Sequence, residues 1–371
     1  MHDSVVLVTG YPSFGARQLV SHVLAAEPTT EVRAVVRASL LPAAEAHRAS
    51  LAPSEQARLT LLDGDAAHLD LGLSGREVRE LAERVDRFHH AAQVSYLGAD
   101  PKEAEALNVG GTREALAVAR ALPRLRAFVH HGTAFVSGDR TGLVREDELH
   151  RDQRFRNAVE ETKARAEKLV RDASAHVPTV ILRPSLVVGD SATGEVDRLD
   201  GPYLLVLLLL SSPVELAIPL PGRGRAPLHI VPVDYVVRAA RLLGLNPDAV
   251  GKTFHLVDRA PLTAREVFEL VAKVGGRRSP RGFIPANVTR ALLHTPGLDR
   301  FVKSPRAFFD QLVTEVQYDT RAVDAVLGHT VSCPPFASYV DSLVTYVRTR
   351  VEEERERRRA QGPDDVEDPL S

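Results

Sequence analysis

Ser4-Val5-Val6-Leu7-Val8-Thr9-Gly10-Tyr11-Pro12-Ser13-Phe14-Gly15-Ala16-Arg17-Gln18-Leu19-Val20 passes from an apolar, β-branched run through a turn of Gly, Pro and Ser. It then enters an amphipathic pattern carried by Phe14, Leu19, Val20, Val23 and Leu24. The reading is strand, turn, helix. At such a helix start, unpaired backbone N–H groups and the positive end of the helix dipole suit a pyrophosphate. Small residues in the turn let the backbone approach it. A second apolar run, Val32 to Val36, ends in Arg37. A cation there suits the 2′-phosphate of NADP, where an acidic residue would suit the ribose of NAD. NADP(H) is therefore expected before NAD(H).

The 371 residues, 44% hydrophobic and 26% charged, can bury a large core and imply one large domain with a smaller one. A net charge of −2 and the lack of a basic run with interleaved aromatics argue against nucleic acid as a partner. The single cysteine, Cys333, excludes an internal disulfide and a thiolate metal cluster. No charged-then-apolar leader precedes the first strand, so a cytoplasmic protein is expected. The run from Tyr203 to Leu210 is far short of the roughly 20 residues of a membrane span. A buried helix is the favoured reading, and the lining of an apolar acyl site is the alternative.

Further strand and helix patterns alternate along the chain. A third strand, Leu59 to Leu62, closes on Asp63-Gly64-Asp65, and a helix from Gly75 to Val85 leads to a fourth strand, Arg87 to His90. His89 and His90 are adjacent and point to opposite faces of their strand, which favours structural roles over metal ligation. A long helix is expected from about 102 to 122, then a strand from Ala127 to His131, a helix around Asn157 to Glu167 and a strand at Val180 to Arg183. Thr263 and Glu266 form a capping-box pattern. Phe308, Phe309, Leu312 and Val316 fall at helical spacing and read as core. A last amphipathic helix runs through Tyr339, Leu343 and Val347 into mixed charge at 350–359, with disorder expected from Gly362.

Several of these stretches, in this order, resemble the extended short-chain dehydrogenase/reductases, closest to the thioester-reductase and fatty-acyl-reductase branch. The family turn T-G-x-x-G-x-x-G stands here as Thr9 to Ala16, with Ser13 and Ala16 at the second and third glycines and an extra glycine at Gly15. Asn108-Val109-Gly110-Gly111-Thr112 resembles N-V-x-G-T. Gly132-Thr133-Ala134-Phe135-Val136 resembles S-T-A-Y-V, Arg183-Pro184-Ser185 begins R-P-S-x-V-x-G, and Val231 to Val236 matches V-P-V-D-Y-V, with Asp234 a natural helix cap.

The resemblance implies an α/β fold: a doubly wound, Rossmann-like parallel sheet with a smaller, mostly helical substrate subdomain. The expected division is residues 1–190 for the cofactor, 191–350 for substrate with returning elements at about 227–258, and a charged tail at 351–371. It places Gly10, Pro12, Ser13, Phe14 and Gly15 at the pyrophosphate and Asp65 at the adenine amino group. Ala91, Ala92, Pro184 and Ser185 fall beside the nicotinamide and its ribose. Asn108 would brace the central strands. Thr133 would hydrogen-bond the substrate carbonyl and Lys163 would orient the ribose. The expected partner is a small apolar carbonyl or acyl compound, free or on a carrier or CoA, and helices flanking the lysine helix suggest a homodimer.

One departure is decisive for the chemistry. The family pattern Y-x-x-x-K puts a proton-donating tyrosine one turn before the lysine, and here that position is Val159. No tyrosine lies between Tyr96 and Tyr203, so no shift of alignment recovers it. Loss of a general acid ordinarily costs about 10²- to 10⁴-fold. Thr133, His131, Tyr96 or a water held by Lys163 remain as replacement donors. Two readings stand beside an oxidoreductase with an atypical donor: a non-catalytic NADP(H)-binding sensor or scaffold, and an interaction protein that binds no cofactor.

Overall fold

The computed structural model describes residues 4–96, 98–199, 202–211, 220–221, 223–284, 310 and 312–361. Seven strands form one parallel sheet: β1 (Val5–Thr9), β2 (Glu31–Val36), β3 (Leu59–Asp63), β4 (Val85–His90), β5 (Ala127–His131), β6 (Thr179–Pro184) and β7 (Lys252–Leu256). Their order across the sheet is β7-β6-β5-β4-β1-β2-β3. Every neighbour pair is parallel. Strands buried on both faces need continuous apolar runs, which is why β1 is buried at all five positions.

Helices cover both faces. On one, α1 (Phe14–Ala26) and α7 (Val233–Leu245) pack over Val6, Val8, Val129 and Val180. On the other, α3 (Gly75–Arg84), α4 (Gly111–Arg120) and α5 (Ala158–Ala173) cover Leu7, Phe88, Phe128 and Ile181. The order of connection reverses between β1 and β4, so the chain parts there and leaves a crevice beyond the carboxyl ends of the strands.

A separate core joins α6 (Pro202–Ser211), α8 (Ala264–Val274) and α9 (Val340–Gln361). Tyr203, Val206, Leu207 and Leu209 are buried there, among Phe268, Val271, Leu343 and Val347. The favoured reading of the leucine run as a buried helix agrees with this. The capping box at Thr263 and Glu266 forms as expected.

Four expectations need correction. The segment read as one helix over 102–122 contains a π turn at Glu105–Gly110, between a short helix at Pro101–Ala104 and α4. Val316 is not helical but lies in a short strand, Val316–Tyr318, paired with Gly142–Val144. Asp234 does not cap α7, because Pro232 occupies that position; its carboxylate instead accepts hydrogen bonds from the Ser191 N–H and hydroxyl. Asn108 ties a loop and a helix together rather than bracing the strands. Phe308, Phe309 and the segment from Gly362 lie outside the described residues.

Candidate active site

A cavity of about 650 Å³ opens at the carboxyl ends of β1, β4, β5 and β6. Gly10, Pro12 and Ser13 form its floor, followed by Arg37 at the end of β2 and Gly64 and Ala66 after β3. Ala91, Ala92 and Gln93 line it after β4, Thr133 after β5, and Pro184 and Ser185 at the end of β6. Val159 and Lys163 face it from α5. Residues scattered over most of the sequence converge because each follows a strand that ends at the same edge of the sheet.

Gly10 adopts φ +89°, and a Cβ there would lie 2.5 Å from the Ala91 carbonyl carbon and 2.6 Å from the Ala92 nitrogen. Backbone packs against backbone at this point, so only glycine fits. Ser13 stands at the N-cap of α1 without a side-chain cap, leaving the first N–H groups of the helix available to a ligand. Phe14 and Gly15 follow in the first turn, outside the cavity lining, and Phe14 packs on the core. The Tyr11–Pro12 peptide is cis.

Arg37 lines the cavity and its Nε lies 3.2 Å from the Asp65 carboxylate. Asp65 itself is outside the lining, and its Oδ1 accepts a hydrogen bond from the Ala67 N–H. The two residues expected to read opposite ends of the adenosine half thus meet each other.

The opposite end of the cavity holds Thr133 and Lys163. Thr133 is buried; its hydroxyl donates to the Pro184 carbonyl at 3.4 Å and accepts from the Phe135 N–H at 3.3 Å. Lys163 is buried and forms no hydrogen bond or ion pair among the described residues. Burial alone pulls its pKa down to about 8. Val159 packs with Val94 and Ala104, and Tyr96 leans on the same cluster. His131 lies outside the cavity lining and contacts His89, ring nitrogen to ring nitrogen, at 3.2 Å. Burial followed by the nearby Lys163 lowers its pKa to about 4. As a replacement proton donor it is therefore misplaced.

Several lining residues were not singled out from the sequence. Asn157 caps α5 through its Oδ1, which accepts from the Glu160 N–H at 2.9 Å. The Asn-x-x-Glu spacing was a readable signal for that cap. Its Nδ2, the Gln93 Nε2 and the Ser185 Oγ are buried without hydrogen-bond partners among the described residues. Native proteins leave few such groups, and three around one crevice fit a polar ligand bound there. With the bare helix start at Ser13, these residues fit a dinucleotide. Gly10, Ser13 and Arg37 would hold its phosphates, and Thr133, Lys163, Pro184 and Ser185 its nicotinamide end.

Asn108, fully buried in the π turn, receives the Val94 N–H at 2.8 Å. It donates to the Val94 carbonyl at 3.2 Å and to the Thr162 hydroxyl at 2.9 Å. It locks the loop after β4 to α5, next to Val159. Behind the site, Arg183 and Glu167 form a fully buried bidentate pair at 2.7 and 2.9 Å, fixing α5 against β6.

A doubly wound parallel sheet, a glycine turn at its switch point and a threonine and lysine at the far end of one crevice define a nucleotide-binding protein of the extended short-chain dehydrogenase/reductase type. The chain belongs to the male sterility NAD-binding family, whose model matches residues 8–240. It is 27% identical to the fatty acyl-CoA reductase wat of Drosophila melanogaster over 215 residues, covering 50% of this chain and 41% of that protein. It is 30% identical to the glycine betaine reductase ATRR of Emericella nidulans over 228 residues, covering 60% of this chain and 18% of the other. The chain spans under half the length of these curated relatives. Among solved structures, the terminal R domain of the myxalamid PKS-NRPS pathway superposes with a TM-score of 0.78 at 25% identity, covering 95% of this chain and 92% of that one. The UDP-glucuronic acid 4-epimerase of Bacillus cereus, solved with NAD, shares the fold with a TM-score of 0.68 at 17% identity, covering 94% and 98%.

Proposed function

We propose that this protein is an NADP(H)-dependent reductase of an acyl thioester or aldehyde carbonyl, working with a proton donor other than the usual tyrosine. The observation that carries the reading is the single cavity that joins the Gly10 to Ser13 turn and Arg37 to Thr133 and Lys163. A reduced nicotinamide would supply a hydride at the Lys163 end. Thr133 would orient the substrate carbonyl by its hydroxyl, and the Lys163 cation would steady the ribose and the negative charge that develops on oxygen. The related reductases support a thioester or aldehyde class. The leucine run of α6 does not enter this argument, because its described side chains are packed among helices.

Preference for NADP(H) rests on Arg37. Fluorescence titration should give tighter binding of NADPH than of NADH, and Arg37→Ala should weaken NADPH by about tenfold or more, the scale of one hydrogen bond to a charged group, while leaving NADH unchanged. Equal binding of both cofactors by the unaltered protein would remove the NADP preference.

The second reading, a cofactor-binding sensor or scaffold without turnover, is favoured by Val159. Substrate-dependent NADPH oxidation at ordinary enzyme rates separates the two. Tight NADPH binding with no oxidation across acyl-CoA and aldehyde substrates would leave the sensor.

A further inference from the structure

Reduction of a carbonyl needs a proton on oxygen, and the described cavity offers few groups able to give one. Glu160 lines it, but both carboxylate oxygens already accept from Arg156, from its backbone N–H at 3.0 Å and its guanidinium at 3.2 Å. Glu103 accepts the Tyr96 hydroxyl hydrogen at 2.8 Å. Thr133 has an aliphatic hydroxyl, a weak acid, and Lys163, in the reading above, steadies the ribose and the oxyanion as a cation that must persist through the step. Tyr96 remains.

Tyr96 sits on the loop after β4 and lines the cavity, and its ring rests on the cluster of Val94, Ala104 and Val159. The phenol thus comes from the loop after β4, and its ring packs on the cluster that holds the position the family gives to its tyrosine. We infer that Tyr96 is the proton donor of this enzyme, a catalytic residue relocated from α5 to the loop that Asn108 holds in place. The inference rests on the reductase reading above.

The step balances as follows. A bound reduced nicotinamide would supply the hydride, whose electron pair would form the new C–H bond as the π pair of the carbonyl moved to oxygen. The Tyr96 hydroxyl turns from Glu103 to that oxygen, its O–H bond breaks and the proton joins the oxygen, leaving a phenolate that recovers a proton from solvent at the open side of the cavity. The Arg198 guanidinium lies 4.4 Å from the centre of the Tyr96 ring, where its charge favours the phenolate. The Glu103 hydrogen bond works the other way and holds the resting phenol protonated, with its pKa above the usual value. The donor is therefore loaded before each turnover and supported by a cation once it has given its proton.

Tyr96→Phe, which keeps the ring and its packing, is the test, with octanoyl-CoA and octanal as substrates. The expected result is a fall in kcat of about 10²- to 10⁴-fold, the usual contribution of a general acid, with NADPH affinity by fluorescence titration unchanged within about twofold. Retention of kcat would overturn the assignment and pass the role to Lys163. A parallel loss of NADPH affinity would overturn it by making Tyr96 part of the cavity wall. An unaltered protein that binds NADPH but oxidises it with neither substrate would remove the reductase reading, and this inference with it.

Discussion

Lys163 and Val159 lie one turn apart on α5 and both face the cavity, yet only the lysine has a side chain able to carry a charge or a proton. Burial with no carboxylate partner disfavours the ammonium and brings its pKa to about 8. The cation is then present below about pH 8 and lost above it. If catalysis needs that charge, kcat/KM should decline as pH rises through about 8. Lys163→Arg, a cation at all accessible pH, should abolish that decline even where its absolute rate is lower. A profile flat through pH 9 for the unaltered protein would count against the charge requirement. At this scale the sequence was informative where a residue type is itself the signal: the valine at 159, the lysine at 163 and the arginine at 37 could all be read directly. The pairing of Arg37 with Asp65 could not, since each was assigned to a different part of the ligand and only the pairing of β2 with β3 brings their ends together.

The π turn at Glu105–Gly110 was invisible to periodicity, because an i→i+5 turn adds one residue to a helix without changing its composition. Its cause is tertiary: it delivers Asn108 to three partners on two other segments. The expectation of a bracing asparagine was right in kind and wrong in target, since it holds the loop that carries Tyr96 and not the central strands. Capping signals, by contrast, are local and were legible at Thr263, where side chain and backbone satisfy each other within four residues. Asn108→Ala removes the partners of a buried N–H and a buried carbonyl, each costing roughly 1–3 kcal/mol when left unsatisfied. The variant should lose about 2–4 kcal/mol in urea denaturation. Hydrogen exchange should rise at Val94 before it rises in β4. Unchanged stability would mean that the loop is held by apolar packing alone.

Across the whole molecule, the doubly wound order was legible because most strands carry a short apolar run and end in a turn. The buried histidines that the sheet collects were less so. His89, His90, His130, His131 and His255 occupy three parallel strands, and burial holds all five below the usual histidine range, His130 and His255 at about 3 and His131 at about 4. His130 stacks on His90 at 5.9 Å and neither of its ring nitrogens has a partner. A histidine whose folded pKa lies below its unfolded 6.5 is neutral in the native state while the unfolded chain takes up a proton. Stability is therefore lost as pH falls below about 6.5 and continues to fall towards the folded values. Each such group contributes at most about 1.4 kcal/mol per pH unit. Glu146 opposes this. Burial raises its pKa to about 7 against the opposing pull of the His255 and Ala322 N–H groups, whose hydrogen bonds favour the carboxylate, so it adds stability as pH falls from 7 towards 4.5. Burial raises Glu160 in the same direction, but two carboxyls do not offset five imidazoles, and a net stability on the order of 5–15 kcal/mol leaves little reserve. The urea midpoint should therefore drop steeply between about pH 7 and pH 5. His130→Leu should flatten that slope by up to one proton's worth, as it removes a group that must stay neutral without breaking any hydrogen bond. Equal midpoints at the two pH values would mean that the sheet admits protons to these histidines without unfolding.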